Sequence, residues 1–276
     1  MTKRILLLLL VLVFSSVTVF AQKNYEAYVK DALDYTEKKD FAAAEQSYKA
    51  ALRLEPANPS NIMLLMNLGT IQRYLGKFEE ALISYDVVVQ RNPTLDYVLD
   101  NRARLYCDMN RFEDALRDYS TIILHHPNNL DALYDRGLLY ISLRKLDQAE
   151  GDFRTILQKE EENPKAKAGL AMVLKRRGLW KEAEQAYSEL IANDKHNGEL
   201  YANRAECYLN LKRLRSLSED LEKAVEYGYD DYSIHILKGQ LKLAQFDKGE
   251  ARAEFLKAIE MGAEKELVDD FLLLCK

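Results

Sequence analysis

Small apolar residues return along this chain at a fixed interval: Ala81, Ala115, Ala149, Ala183, Leu217 and Ala251 stand 34 positions apart, without insertion or deletion. Twelve residues before each comes a second apolar mark, in the pairs Leu68-Gly69, Arg102-Ala103, Arg136-Gly137, Leu170-Ala171, Arg204-Ala205 and Lys238-Gly239. Four residues after most of these positions stands a large ring, Tyr85, Tyr119, Phe153, Tyr187 and Phe255, with Tyr48 in an earlier copy and Leu221 as the exception. Leu99, Arg102-Ala103 and Tyr106 follow each other at three- and four-residue steps, which is one stripe of an amphipathic helix. Between stripes, the segments Leu75-Gly76-Lys77-Phe78-Glu79-Glu80 and Met109-Asn110-Arg111-Phe112-Glu113-Asp114 carry a Gly or Asn that ends one helix, then acids that suit the positive start of the next. The pattern predicts helix, tight turn, helix, many times over. Units of this kind bury their apolar faces only against their neighbours, as in a solenoid.

The letters have physical reasons. Gly or Ala in the first helix and Ala in the second remove bulk where paired helices cross, and the rings fill the space beside them to interior density.

In this arrangement the chain resembles the tetratricopeptide repeat family, most clearly at Leu65, Leu68-Gly69, Gly76, Phe78, Ala81, Tyr85 and Pro93. A more divergent copy holds Tyr28, Ala32, Tyr35, Phe41, Ala44, Tyr48 and Pro56. The resemblance implies an all-α, right-handed superhelical solenoid of about seven repeats, at residues 25–58, 62–95, 96–129, 130–163, 164–197, 198–231 and 232–265. Residues 264–274, with Leu267, Phe271 and Leu274 on one side, read as an amphipathic helix capping the array, so the cap is set at 266–276. Irregularities fall at the ends: Ala44 and Ala81 are 37 apart, with Pro56 and Pro59 in the extra length, and Leu217, Leu221 and Lys248 depart from the repeat letters. With no linker rich in Pro, Gly or Ser, residues 22–276 read as one domain.

Composition agrees with a helical protein: 48% of residues are apolar, 30% charged, and there are only 11 Gly and 5 Pro in 276. Residues 1–21 carry Lys3-Arg4, an apolar run over 5–14 and small residues before Ala21, the layout of a cleaved secretory signal with no following Cys to accept a lipid. An exported protein, periplasmic or secreted, with no membrane span after cleavage is expected. Loss of Lys3 and Arg4 would leave 37 basic against 44 acidic residues, which speaks against a nucleic-acid partner. Cys107 and Cys207 fall three repeats apart, beyond the reach of a disulfide, and Cys275 is expected as a free thiol. His125-His126, His196 and His235 lack metal-ligand spacing, and no nucleophile or phosphate loop is recognisable, so neither catalysis nor a cofactor is expected.

What remains is a binding surface. Helical spacing leaves Tyr97, Asp100, Asn101, Arg104 and Asp108 on the face of the third repeat's first helix that does not pack against its partner helix. The same offset gives Met63, Met66, Asn67, Thr70 and Tyr74 in the second repeat, and Asp131, Tyr134, Asp135 and Leu138 in the fourth. It gives Lys165, Met172, Lys175 and Arg176 in the fifth, then Glu199, Asn203 and Glu206 in the sixth. The resemblance implies that this face lines a concave groove for a protein or peptide. Asn67, Asn101 and Asn203 recur at one offset, where amides can bond a main chain and tyrosines cover its side chains.

Some co-chaperone members of the family this chain resembles hold a partner's terminal carboxylate in a basic clamp; here Met66, Thr70, Asp131 and Asp135 stand where the resemblance would place its cations, so that use is not expected. Acids in the third and fourth repeats beside Lys165, Lys175 and Arg176 suggest a partner of mixed charge. The expected function is a non-enzymatic scaffold or adaptor, with a chaperone-like holder of exported chains as the second reading; the oligomeric state is left open.

Overall fold

The computed structural model of the protein describes residues 23–276; the expected leader lies outside them. Among the described residues there are fifteen α-helices. The first six are α1 (Tyr25–Glu37), α2 (Phe41–Leu54), α3 (Asn61–Tyr74), α4 (Phe78–Arg91), α5 (Asp96–Asp108) and α6 (Phe112–His125). They are followed by α7 (Leu130–Ser142), α8 (Leu146–Lys159), α9 (Pro164–Arg176), α10 (Trp180–Asn193), α11 (Gly198–Asn210) and α12 (Leu214–Glu226). The last three are α13 (Tyr232–Ala244), α14 (Lys248–Glu260) and α15 (Asp269–Leu274). The first fourteen form seven consecutive pairs, and each pair packs together. The chain gathers into two compact units, one ending at His125 with three pairs and one spanning His126–Lys276 with four.

Burial follows the period. Ala44, Ala81, Ala115, Ala149, Ala183, Leu217 and Ala251 are all fully enclosed, and so are the rings that follow them. Leu217 and Leu221 replace the usual letters without loosening the sixth pair, because both are buried. The first-helix glycines make room for the rings: a Cβ on Gly69 would lie 2.7 Å from Tyr85, and one on Gly239 would lie 2.5 Å from Phe255.

Three pairs carry a buried fork that a scan for apolar letters passes over. Arg102 of α5 grips Asp118 of α6 through Nε and Nη2 at 2.8 and 2.7 Å. Arg136 holds Asp152 in the same way at 2.9 and 2.6 Å, and Arg204 holds Asp220 at 2.8 Å through both nitrogens. Each arginine also lies over the ring four residues on, Tyr106, Tyr140 or Tyr208, at 5.5–5.7 Å. Planar guanidinium groups suit this bidentate, stacked role. In the second pair, where Leu68 and Ser84 occupy the two positions, Ser84 instead donates to Gln72 at 2.8 Å.

The turns within pairs close on a left-handed residue. Gly76 has φ 72°, and its amide bonds Arg73 O while the Lys77 amide bonds Gln72 O, which satisfies the last carbonyls of α3. The equivalent places are Lys39, Asn110, Arg144, Gly178, Lys212 and Phe246, all at positive φ. Phe246 is 93% exposed, so its ring adds no packing to offset the steric cost of this conformation. Phe246→Gly is expected to stabilise the second unit by about 1 kcal/mol, read as a higher urea midpoint; an unchanged or lower midpoint would show that the ring contributes in the folded state.

Two irregular regions have local solutions. The extra length between α2 and α3 is held by buried Asn61, whose amide donates to Glu55 O at 2.7 Å and Pro56 O at 3.2 Å and whose Oδ1 accepts from Tyr25 at 3.0 Å. The C-terminal segment corrects the single capping helix: it is a 3₁₀ turn, Lys265–Leu267, followed by the six-residue α15. Leu267 and Leu274 are about half exposed, whereas Val268 is fully buried and Phe271 stacks on Phe255 at 5.2 Å. The break arises because Val268 is drawn into the core between the two short pieces.

Cys107, Cys207 and Cys275 are free thiols. Cys207 is enclosed, and burial pushes its thiol up to about 12.

Candidate partner-binding surface

The residues read as groove lining lie on the first helix of each pair, five in each unit. In the first unit Tyr97 is more than half exposed, and Asn67 is partly buried with no hydrogen bond among the described residues. Tyr74 is open on one side, but its ring stacks on Phe41 at 5.1 Å. Asn101 donates to Tyr97 O of its own helix at 2.8 Å, and Arg104 pairs with Asp100 at 3.0 Å. Between neighbouring first helices, Arg73 of α3 pairs with Asp108 of α5.

The second unit repeats this cross-linking. Lys165 of α9 reaches Asp131 of α7 at 3.2 Å and lies 5.8 Å over the Tyr134 ring. Asp135 is partly buried on the same helix. Lys175 is buried, not open on the surface: its ammonium donates to Asn203 Oδ1 and Glu206 Oε2 of α11, both at 2.6 Å. Asn203 in turn donates to Glu199 O at 2.9 Å.

These contacts correct two expectations. Lys175 is an internal tie and is not presented to a partner. The alternation of acid and base, taken as the complement of a mixed-charge partner, is partly neutralised within the protein. A helical wheel treats one helix alone; here side chains of adjacent first helices come within reach and pair with each other.

Some of these engaged side chains also border a cavity. Tyr134 and Asn203 meet in a cavity of about 580 Å³, lined also by Ala168, Met172, Tyr187 and Leu200, so that α7, α9, α10 and α11 all contribute. Tyr134 packs against Phe153 at 5.8 Å, which holds its ring in the cavity wall. Burial, then the Glu199 carboxylate, raises the Tyr134 phenol above its ordinary value. Tyr187, a core ring by its place in the repeat, has a second role as cavity wall; nothing in its spacing distinguishes it from the other rings. The arrangement offers aromatic faces, a thioether and amide groups around a partly apolar space, which is chemistry for holding a side chain.

Two family models, both described as tetratricopeptide repeat, match this chain, one over residues 29–96 and 101–167 and the other over 140–202. A crystal structure of a tetratricopeptide repeat protein from Parabacteroides merdae ATCC 43184 is 40% identical, with 91% of this chain and 98% of that one covered and a TM-score of 0.83. PilW, a widely conserved type IV pilus biogenesis factor, shares the fold at 14% identity, TM-score 0.63, over 77% of this chain and 99% of its own. YrrB, a repeat protein with an unusual peptide-binding site, aligns at 17% identity and TM-score 0.50, over 69% of this chain and 97% of its own.

Proposed function

Because the chain belongs to the tetratricopeptide repeat family, we propose that it is an exported, non-enzymatic adaptor that holds a protein partner, by an extended segment, against its first helices. The observation that carries this reading is the 580 Å³ cavity, in which Tyr134, Met172 and Leu200 of three successive first helices share one wall. Its lining mixes apolar and aromatic side chains with charged and amide groups, so a bound side chain meets both kinds of surface. On the first unit, Tyr97 is a separate exposed aromatic side chain. Export rests on the leader-like residues 1–21 alone; among the described residues no helix is long and apolar enough to cross a membrane.

The test is affinity capture from an envelope extract with the parent and with Tyr97→Ala/Tyr134→Ala, both verified as folded by circular dichroism. A specific protein retained by the parent and lost at least tenfold by the variant is the expected result. Equal retention by both would place binding elsewhere, and broad weak retention of many chains would favour a chaperone-like holder.

A further inference from the structure

The cavity between α7, α9, α10 and α11 contains polar groups that the second unit leaves unsatisfied. Tyr187 is 1% exposed, and its hydroxyl has no hydrogen-bond partner among the described residues. Tyr48 of the first unit is enclosed and unpartnered in the same way, so this hydroxyl does not by itself single out a ligand. The charges of the wall do. Both lysines in the wall are matched, Lys165 by Asp131 and Lys167 by Glu162. Two exposed carboxylates of the wall, Asp194 and, at the start of α11, Glu199, have no ion pair among the described residues, and Asp194 accepts a hydrogen bond from Asn197 at 3.2 Å. Glu199, Tyr134 and Tyr187 all line this one cavity.

We propose that this cavity receives the side chain of one arginine or lysine of the partner. The inference rests on the peptide-holding function proposed above and specifies what the peptide carries. An aliphatic stem lies along Met172 and Leu200, as long basic side chains commonly do on apolar surface. The cationic head lies towards Glu199, because Lys165 already covers the Tyr134 ring and the Tyr187 ring is enclosed. Its N–H groups donate to the exposed Glu199 carboxylate, which accepts and neutralises the charge. An acidic side chain would meet Glu199 unpaired and would be rejected.

A random dodecapeptide library displayed on phage, panned on the parent, on Glu199→Gln and on Glu189→Gln as an exposed control, tests this. The parent and control are expected to enrich peptides with Arg or Lys at one fixed position, and Glu199→Gln to lose that preference. A synthetic peptide from the enriched set should bind Glu199→Gln at least tenfold more weakly than the parent, and its norleucine analogue should bind the parent equally weakly. Enrichment of peptides without a basic residue, or of basic peptides that bind Glu199→Gln as tightly as the parent, overturns the inference while leaving peptide binding intact. Failure to enrich any sequence overturns both this inference and the peptide-holding function.

Discussion

At neutral pH, Arg204→Met is expected to destabilise the second unit by about 3–5 kcal/mol, whereas Arg204→Met combined with Asp220→Leu is expected to unfold close to the parent. The asymmetry follows from desolvation. Arg204 and Asp220 are both largely enclosed, with side chains 16% and 7% exposed, and the fork between them satisfies both charges along with a third bond from Arg204 Nη1 to Ser188 at 3.0 Å. Removing only the guanidinium leaves a carboxylate without its partner; removing both leaves apolar surface against apolar surface. The sign of the pH dependence is also fixed. Burial raises the Asp220 carboxyl above its ordinary value against the pull of Arg204, and without Arg204 it rises further. A carboxyl raised in the folded state favours folding below its unfolded value, near 3.9, and that contribution is lost as pH climbs through the folded value. The stability gap between Arg204→Met and the parent should therefore narrow from pH 7 towards pH 4.5. Urea titrations at the two pH values read this directly; a constant gap, or a double variant as weak as the single one, would show that the fork is not the buried charge pair described here.

The fork also shows what the sequence conveys and what it hides. Ala115, Tyr119 and their equivalents are legible because each burial position repeats every 34 residues and needs one kind of residue, small or ringed. Arg204 was visible as a repeating letter, but Asp220 stands sixteen residues away on the other helix, and their pairing is a property of the helix crossing and not of either stripe. The same holds for Lys175. On its own helix it occupies the open face, and only the approach of α11, bringing Asn203 and Glu206, makes it an internal residue. Left-handed closure of each turn was legible at Gly76 and Asn110, whose types favour it, and illegible at Phe246, where three-dimensional closure imposes the conformation on an unsuited residue. The candidate cavity falls between these cases: Tyr134, Met172 and Asn203 follow from helical offset, while Tyr187 and the unpaired state of Glu199 depend on which neighbours are already engaged.

Phe153 provides the sharpest test of how the repeats lock together, because it is held from both sides. Its ring is fully buried on α8, and a Cβ on Gly137 of α7 would lie 2.7 Å from it while one on Gly169 of α9 would lie 2.6 Å away. A ring pressed by one added methyl cannot retreat without meeting the other helix. Gly169→Ala is therefore expected to destabilise by about 1–3 kcal/mol, although Ala in a helix interior is intrinsically better than Gly by about 1 kcal/mol. Phe153→Ala, which empties the site, is expected to cost about 3–5 kcal/mol. In combination the sign reverses: with the ring gone, Gly169→Ala meets open space, regains its helix preference and fills part of the void, so it should stabilise the Phe153→Ala background by about 1 kcal/mol. The coupling between the two substitutions, measured by urea unfolding of the four proteins in a double-mutant cycle, should exceed the few tenths of a kcal/mol seen for independent sites. If Gly169→Ala has the same sign in both backgrounds, the glycine is not there to admit the ring, and the close approach of α8 and α9 has some other cause.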